Sequence, residues 1–213
     1  MATIIDGKKL AKEYRMKLKS RCDDLKNKGI NPKLAVIMVG NDKASQVYVK
    51  NKSKACEEIG IIFEEYLLDE NIKQEELINL IEKLNQDDSV NGILLQSPIP
   101  SNLDINEAFQ KISPNKDVDG FNPLNVGKLA LNQDTFVSCT PYGIMKMFEA
   151  YNVDLTGKNV TIIGRSNIVG KPLIQCCLNK NATVTVCHSK TKNLKEHKSD
   201  RSHVVLWAKE LCD

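Results

Sequence analysis

At 213 residues the chain has room for one large domain or two modest ones, and 30 basic against 27 acidic residues leave a formal net charge of only +3. Those charges are dispersed, with no run of five like charges, so nothing electrostatic points to a nucleic-acid arm or a membrane surface. No stretch approaches the ~20 apolar residues of a membrane span, and Met1 to Leu10 lacks a secretory leader pattern, so a cytoplasmic protein is expected.

Helical and strand periods alternate from the start, the signature of an α/β chain with a mainly parallel sheet. Leu10, Tyr14, Leu18 and Leu25 fall near one stripe of a helix ending around Gly29. The apolar run Leu34 to Val39 predicts a strand covered on both faces. Gly40, Asn41 and Asp42 turn the chain into a second helix, which Gly60 ends. A strand at Ile61 to Leu67 follows, then a helix at Glu75 to Leu84 with Leu77, Leu80, Ile81 and Leu84 inward, then a strand at Val90 to Leu95.

SPIPSNLD carries two prolines and cannot continue the sheet. After a short helix near Ile105 to Ile112 comes SPNKDVDGFNP, long and polar for a connection, and such loops commonly carry function. Thr140 as N-cap with Pro141 at the first helical position predicts a helix running to about Tyr151. The pattern then restarts with a strand at Asn159 to Ile163, a glycine-bounded turn at Gly164 to Gly170, a helix at Lys171 to Asn179 and a strand at Ala182 to Cys187. The domain boundary therefore falls in or near the Thr140 to Tyr151 helix, dividing residues 1–145 from 146–213. Seven cysteines, with no CxxC pair and no His at zinc-ligand spacing, read as reduced packing residues without a metal site.

Ser45, Tyr48 and Lys52 stand at i, i+3 and i+7, so a hydroxyl, an aromatic ring and an amine share one helical face. On an arbitrary helix that spacing more commonly marks a solvated face with a snorkelling lysine. Gln96 directly follows the strand GILL, where ligands of open α/β sheets collect, but alone it reads as a strand cap. Lys116, Asp117 and Asp119 lie in the polar loop that ends at Gly120, and Asp119 alone reads as an Asx-turn residue. NVTIIGRSNIVGKP has strand, turn and helix order, although Gly164 and Gly170 stand without a GxGxxG fingerprint.

Taken together, YVKNKSKACEEIGI, GILLQSPIP, PNKDVDGFNPLNVGKL, CTPYGIM and GRSNIVGKP, in this order, resemble the bifunctional methylenetetrahydrofolate dehydrogenase/methenyltetrahydrofolate cyclohydrolase family. The resemblance runs from IIDGKKLA to about Leu194. It implies an N-terminal three-layer α/β catalytic domain followed by a Rossmann-type dinucleotide-binding domain, acting on tetrahydrofolate derivatives in one-carbon metabolism. By the same resemblance Tyr48 stacks on the folate ring system, Lys52 acts on the one-carbon unit, Gln96 hydrogen-bonds that lysine and Asp119 binds the pterin edge. Ser45 and Pro98 join the folate contacts. A carboxylate suits Asp119's role because it accepts two hydrogen bonds side by side.

Hydride transfer mainly requires donor and nicotinamide to be held in contact, whereas hydrolysis of the methenyl cation requires proton removal from water. Lys52 fits that second step when burial and the cationic substrate keep its amine neutral. The resemblance assigns Gly164, Arg165, Ser166, Ile168, Gly170 and Ser189 to the cofactor. Where a dinucleotide fold normally places a carboxylate, about 20 residues after the glycine turn, this chain has His188, Ser189 and Lys190. With no carboxylate to repel a ribose phosphate, and Arg165 and Ser189 available to bind one, NADP is favoured over NAD. His188 itself reads as a turn residue.

The chain departs from the family pattern in two places. Past Leu194 the segment EHKSDRSHVVLWAKELCD departs from the family's, with one strand expected at His203 to Trp207, so the dinucleotide-binding domain is expected to be incomplete. Ser138 stands where relatives usually carry proline, a change expected to affect loop stiffness more than chemistry. A homodimer is implied if the second domain is complete. The competing readings are a dehydrogenase without hydrolase activity, against which the retained Lys52 and Gln96 argue, and an inactive nucleotide-binding or assembly remnant.

Overall fold

The computed structural model describes residues 4 to 194, 197 and 204 to 207. Cys212, and the residues of the departing segment outside those ranges, lie beyond the described residues. The chain divides into two compact units, one of residues 6–118 and one built from 119 onward together with the first residues.

In the 6–118 unit, α1 (Gly7–Asn27) leads into β1 (Lys33–Val39), α2 (Lys43–Ile59), β2 (Ile62–Leu68), α3 (Gln74–Gln86), β3 (Gly92–Leu95) and α4 (Ile105–Lys111). The sheet is parallel with order β2-β1-β3. The central strand explains its apolar run: Ala35 to Val39 are all buried, as a strand covered on both faces must be. Val36 and Met38 pack with Val49 of α2 and with Leu94 of β3, and the alternate residues Ala35, Ile37 and Val39 point to the other face. As the edge strand, β2 is exposed or half-buried at every position and carries Glu64 and Glu65, charges that discourage further strand pairing.

The inward stripe of α3 holds at Leu77, Ile81 and Leu84, all buried, while Leu80 is half-buried at the flank. The stripe expected on α1 is shallower. Leu10, Tyr14 and Leu25 are half-buried and Leu18 is exposed, and the buried residue of that helix is Cys22. Truncating a fully enclosed side chain leaves a cavity that close-packed neighbours only partly fill, so Ile81→Ala should cost roughly 2–5 kcal/mol. Chemical denaturation of the variant beside the parent measures this.

The second unit contains α5 (Pro123–Ala130), α6 (Cys139–Ala150), β4 (Asn159–Ile163), α7 (Gly170–Leu178), β5 (Thr183–Cys187) and β6 (Val204–Trp207). Its parallel sheet has order β5-β4-β6, and β6 falls within the expected His203 to Trp207 strand. Phe148, Leu155, Val160, Ile162, Leu173 and Cys177 form the core, with Val204 and Leu206 of β6 packed against it. Burial pushes the Cys176 and Cys177 thiols up to about 11, so at neutral pH they are protonated packing groups.

Two elements differ from expectation. Sequence reading places no helix at Pro123–Ala130, yet Asn122 caps one there, its side chain accepting from the Leu124 N–H, with proline at the first helical position. The helix expected to begin with Thr140 as N-cap instead begins at Cys139, with Ser138 in the cap position. Pro141 still lies in the first turn, where a missing N–H costs nothing.

Candidate active site

In the 6–118 unit the site is built on α2 and the end of β3. Asp42 caps α2 by accepting from the Ser45 N–H at 2.7 Å, and hydrogen bonds from the Ser45 backbone and hydroxyl hold its carboxyl below the usual carboxylate range. That bond seats the first turn, leaving Ser45 buried, and one turn on it turns Tyr48 outward with 59 % of its surface exposed. An aromatic ring so open is available for stacking. One further turn along, Lys52 is half-buried, and its Nζ donates to Gln96 Oε1 at 2.9 Å.

Gln96 itself is fixed from two sides. Its backbone N–H donates to the Ile37 carbonyl at 2.8 Å, extending the β1–β3 pairing by one residue. Its side-chain Nε2 donates to the Ser97 carbonyl at 2.7 Å, so the amide oxygen faces Lys52. An amide oxygen orients the amine without adding the negative charge that a carboxylate would place beside it. Pro98 follows a cis Ser97–Pro98 bond and is exposed just past this pair. The structure thus brings Lys52 and Gln96 into contact and puts Tyr48 on the same helical face as Lys52. Ser45, by contrast, is a buried part of the helix start.

The loop beyond α4 divides its polar residues between support and display. Lys116 Nζ donates to three main-chain carbonyls at the C-terminal end of α3, those of Leu84, Asn85 and Asp87, at 3.1, 2.8 and 2.7 Å. All three of its N–H donors therefore serve the loop's anchorage. Asp117 is buried and forms a parallel bridge with Ile93 of β3.

In the second unit Asp119 is half-buried, and the Cys139 thiol donates to its Oδ1 at 3.5 Å. Gly120 allows this approach: its φ is +68°, and a Cβ there would stand 2.6 Å from the Phe136 carbonyl oxygen.

The turn after β4 is fixed by its own hydrogen bonds and glycines. Gly164, at φ +126°, donates its N–H to the Cys187 carbonyl of β5 at 2.8 Å. Ser166 Oγ accepts from the Val169 and Gly170 N–H groups at 3.1 and 3.3 Å, closing the start of α7. Any side chain at Gly170 would strike Arg165 Cα and the Gly164 carbonyl at 2.6 Å, so only glycine lets the helix begin this close to the strand end. Ile168 is half-buried between them. Arg165 and Ser189 are exposed, each two residues beyond the register pair Ile163 and Cys187 of adjacent strands, so both stand at the carboxyl edge of the sheet. No carboxylate is in sequence there, and His188 Nδ1 accepts from the Lys190 N–H at 3.2 Å, as a turn residue does. These residues fit a dinucleotide carrying a ribose phosphate.

Sequence reasoning missed Cys139 and the real work of Ser138, whose buried hydroxyl donates to the Ile168 carbonyl at 2.5 Å. Among the described residues no group of three or more His, Cys, Asp or Glu is arranged to hold a metal ion, and no helix is long and apolar enough to cross a membrane.

Residues 5–119 match the family model of the tetrahydrofolate dehydrogenase/cyclohydrolase catalytic domain, and residues 138–209 match that of its NAD(P)-binding domain. The second match extends past Leu194. A bifunctional protein FolD from Acetivibrio thermocellus is 52% identical over 195 residues, covering 92% of this chain and 68% of that protein. The crystal structure of the bifunctional enzyme FolD, methylenetetrahydrofolate dehydrogenase/cyclohydrolase, from Campylobacter jejuni superposes with a TM-score of 0.95 at 49% identity, over 97% of this chain and 73% of that one. The Trypanosoma brucei methylenetetrahydrofolate dehydrogenase-cyclohydrolase, solved with NADP cofactor and inhibitor, gives a TM-score of 0.92 at 34% identity, over 97% and 71% of the two chains.

Proposed function

The chain belongs to the tetrahydrofolate dehydrogenase/cyclohydrolase family, and from that premise we propose that it oxidises methylenetetrahydrofolate with NADP and hydrolyses the methenyl product to formyltetrahydrofolate. In the first reaction the methylene carbon loses a hydride, with both electrons of its C–H bond, while the adjacent nitrogen lone pairs spread the positive charge. NADP, when bound, supplies the acceptor for that hydride. In the second, water adds to the methenyl carbon with loss of one proton, and the bond from that carbon to one of its two nitrogens then breaks as the hydroxyl proton passes to that nitrogen, leaving the formyl group on the other.

The observation that carries this reading is the 2.9 Å bond between Lys52 and Gln96, on the helix face that also exposes Tyr48. Tyr48 gives the flat ring system a stacking surface, and Asp119 accepts hydrogen bonds from the pterin edge. Lys52, held by Gln96, takes the proton from the attacking water in the hydrolytic step. Ser45 shapes the start of the helix that carries Tyr48 and Lys52, and Pro98 borders the substrate. Arg165 and Ser189 receive the ribose phosphate, while Gly164, Ser166, Ile168 and Gly170 form the turn that takes the remainder of the dinucleotide. No observation favours the remnant reading.

By the same likeness to the family the working unit is a homodimer, located in the cytoplasm. The test is direct. Purified protein supplied with methylenetetrahydrofolate and NADP should generate the near-ultraviolet absorbance of the methenyl compound and then consume it. Failure to form it with either NADP or NAD would defeat the proposal.

A further inference from the structure

We propose that Ser138 is a positioning residue for the dinucleotide turn, holding the peptide plane between Ile168 and Val169 in the orientation that aims the first amides of α7. The inference rests on the reading of residues 164–170 as the cofactor turn.

The cap of α6 is unusual. A serine in the N-cap position ordinarily turns its hydroxyl back onto the amides of its own helix. Ser138 makes no such bond at the start of α6. Only 3% exposed, it directs its hydroxyl instead to the Ile168 carbonyl, 30 residues away in sequence. That carbonyl belongs to the same planar peptide unit as the Val169 N–H, which donates to Ser166 Oγ at 3.1 Å. One rigid plane is thus held at both ends, by Ser138 at its oxygen and by Ser166 at its nitrogen. Ser166 Oγ also accepts from the Gly170 N–H, and Gly170 has no room for a side chain, so the neighbouring planes have little freedom to compensate. Releasing the oxygen end lets the plane rotate about its Cα–Cα axis, and the Val169 amide then swings off Ser166. A proline at position 138 has no hydroxyl and could not make this bond. Ser138 therefore contributes a contact to the turn as well as a change in loop stiffness.

The experiment compares the parent with Ser138→Ala and Ser138→Thr in the full chain. Calorimetric titration should show Ser138→Ala binding both NADP and NAD about two- to tenfold more weakly, the effect of losing one neutral hydrogen bond. Ser138→Thr, which keeps the hydroxyl, should restore parental affinity. Without cofactor, amide hydrogen exchange at Val169 and Gly170 should be faster in Ser138→Ala, while hydrolysis of added methenyltetrahydrofolate stays at the parental rate. Parental affinity for both cofactors together with unchanged exchange at these amides would overturn the proposal, and so would a parallel fall in hydrolysis, which would mark general structural damage. A parent chain that binds neither nucleotide would instead sink the reading of the turn itself, so the two failures are distinguishable.

Discussion

Lys52→Met should slow hydrolysis of the methenyl compound by about a hundredfold or more, the usual contribution of a positioned acid or base, while folate still binds. Methionine keeps the length and most of the apolar stem of lysine, so the half-buried stretch of α2 stays filled. What disappears is the amine at 2.9 Å from Gln96 Oε1. Tyr48 remains exposed for stacking, and Asp119 lies elsewhere in the chain, so the contacts proposed to hold the substrate survive. Rates measured at saturating methenyltetrahydrofolate, with a folate analogue titrated separately, divide chemistry from binding. Hydrolysis at the parental rate would remove Lys52 from the proposed role. Equal losses of binding and rate would make it a binding residue.

Arg165→Ala and Ser189→Ala should each weaken NADP by about tenfold to a hundredfold, the Arg165 loss being that of a charged hydrogen bond worth roughly 1.5–3 kcal/mol. NAD should lose little, because both residues stand exposed at the carboxyl edge of β4 and β5, where the ribose phosphate is the group that distinguishes the two cofactors. Ser138→Ala differs from both. A contact to the phosphate alone splits the cofactors, whereas a contact that shapes the turn weakens both together. Dissociation constants for both nucleotides, taken on the same preparations, check this, and equal losses would place Arg165 and Ser189 somewhere other than on the phosphate.

The strands and most helices were legible because burial had already selected their residues. A central parallel strand is covered on both faces, which is why the apolar run Leu34 to Val39 announces β1, and Val160, Ile162 and Ile163 mark β4 despite the buried Thr161 between them. The α5 helix was missed although Asn122 and Pro123 spell a start signal. Leu124 and Val126 are largely exposed and Asn125 is its buried residue, so no inward apolar stripe confirmed the signal. The site was legible unevenly. Spacing along one helix put Tyr48 and Lys52 on a common face, but Gln96 is 44 residues from Lys52 and reaches it only because β3 pairs beside β1. From sequence alone Ser138 reads as a change of stiffness, since no local rule says which way a buried hydroxyl turns when its acceptor arrives from a distant turn.

The three carbonyls gripped by Lys116 put α3 and the loop leading toward Asp119 in phase with each other. A helix end is a rotating feature: removing one residue from α3 turns its terminal carbonyls by about 100° and draws them back by about 1.5 Å. Such an indel in a surface helix is often absorbed by sliding. Here it would unhook the ammonium, which cannot follow while the Lys116 carbonyl accepts from the Ile93 N–H at 2.7 Å. Nor could arginine substitute, since a flat fork cannot converge on three carbonyls as a tripod of N–H bonds does. The length of α3 is thereby locked to the loop, and segment swaps between homologous chains should succeed only when residues 74–116 are exchanged as one cassette.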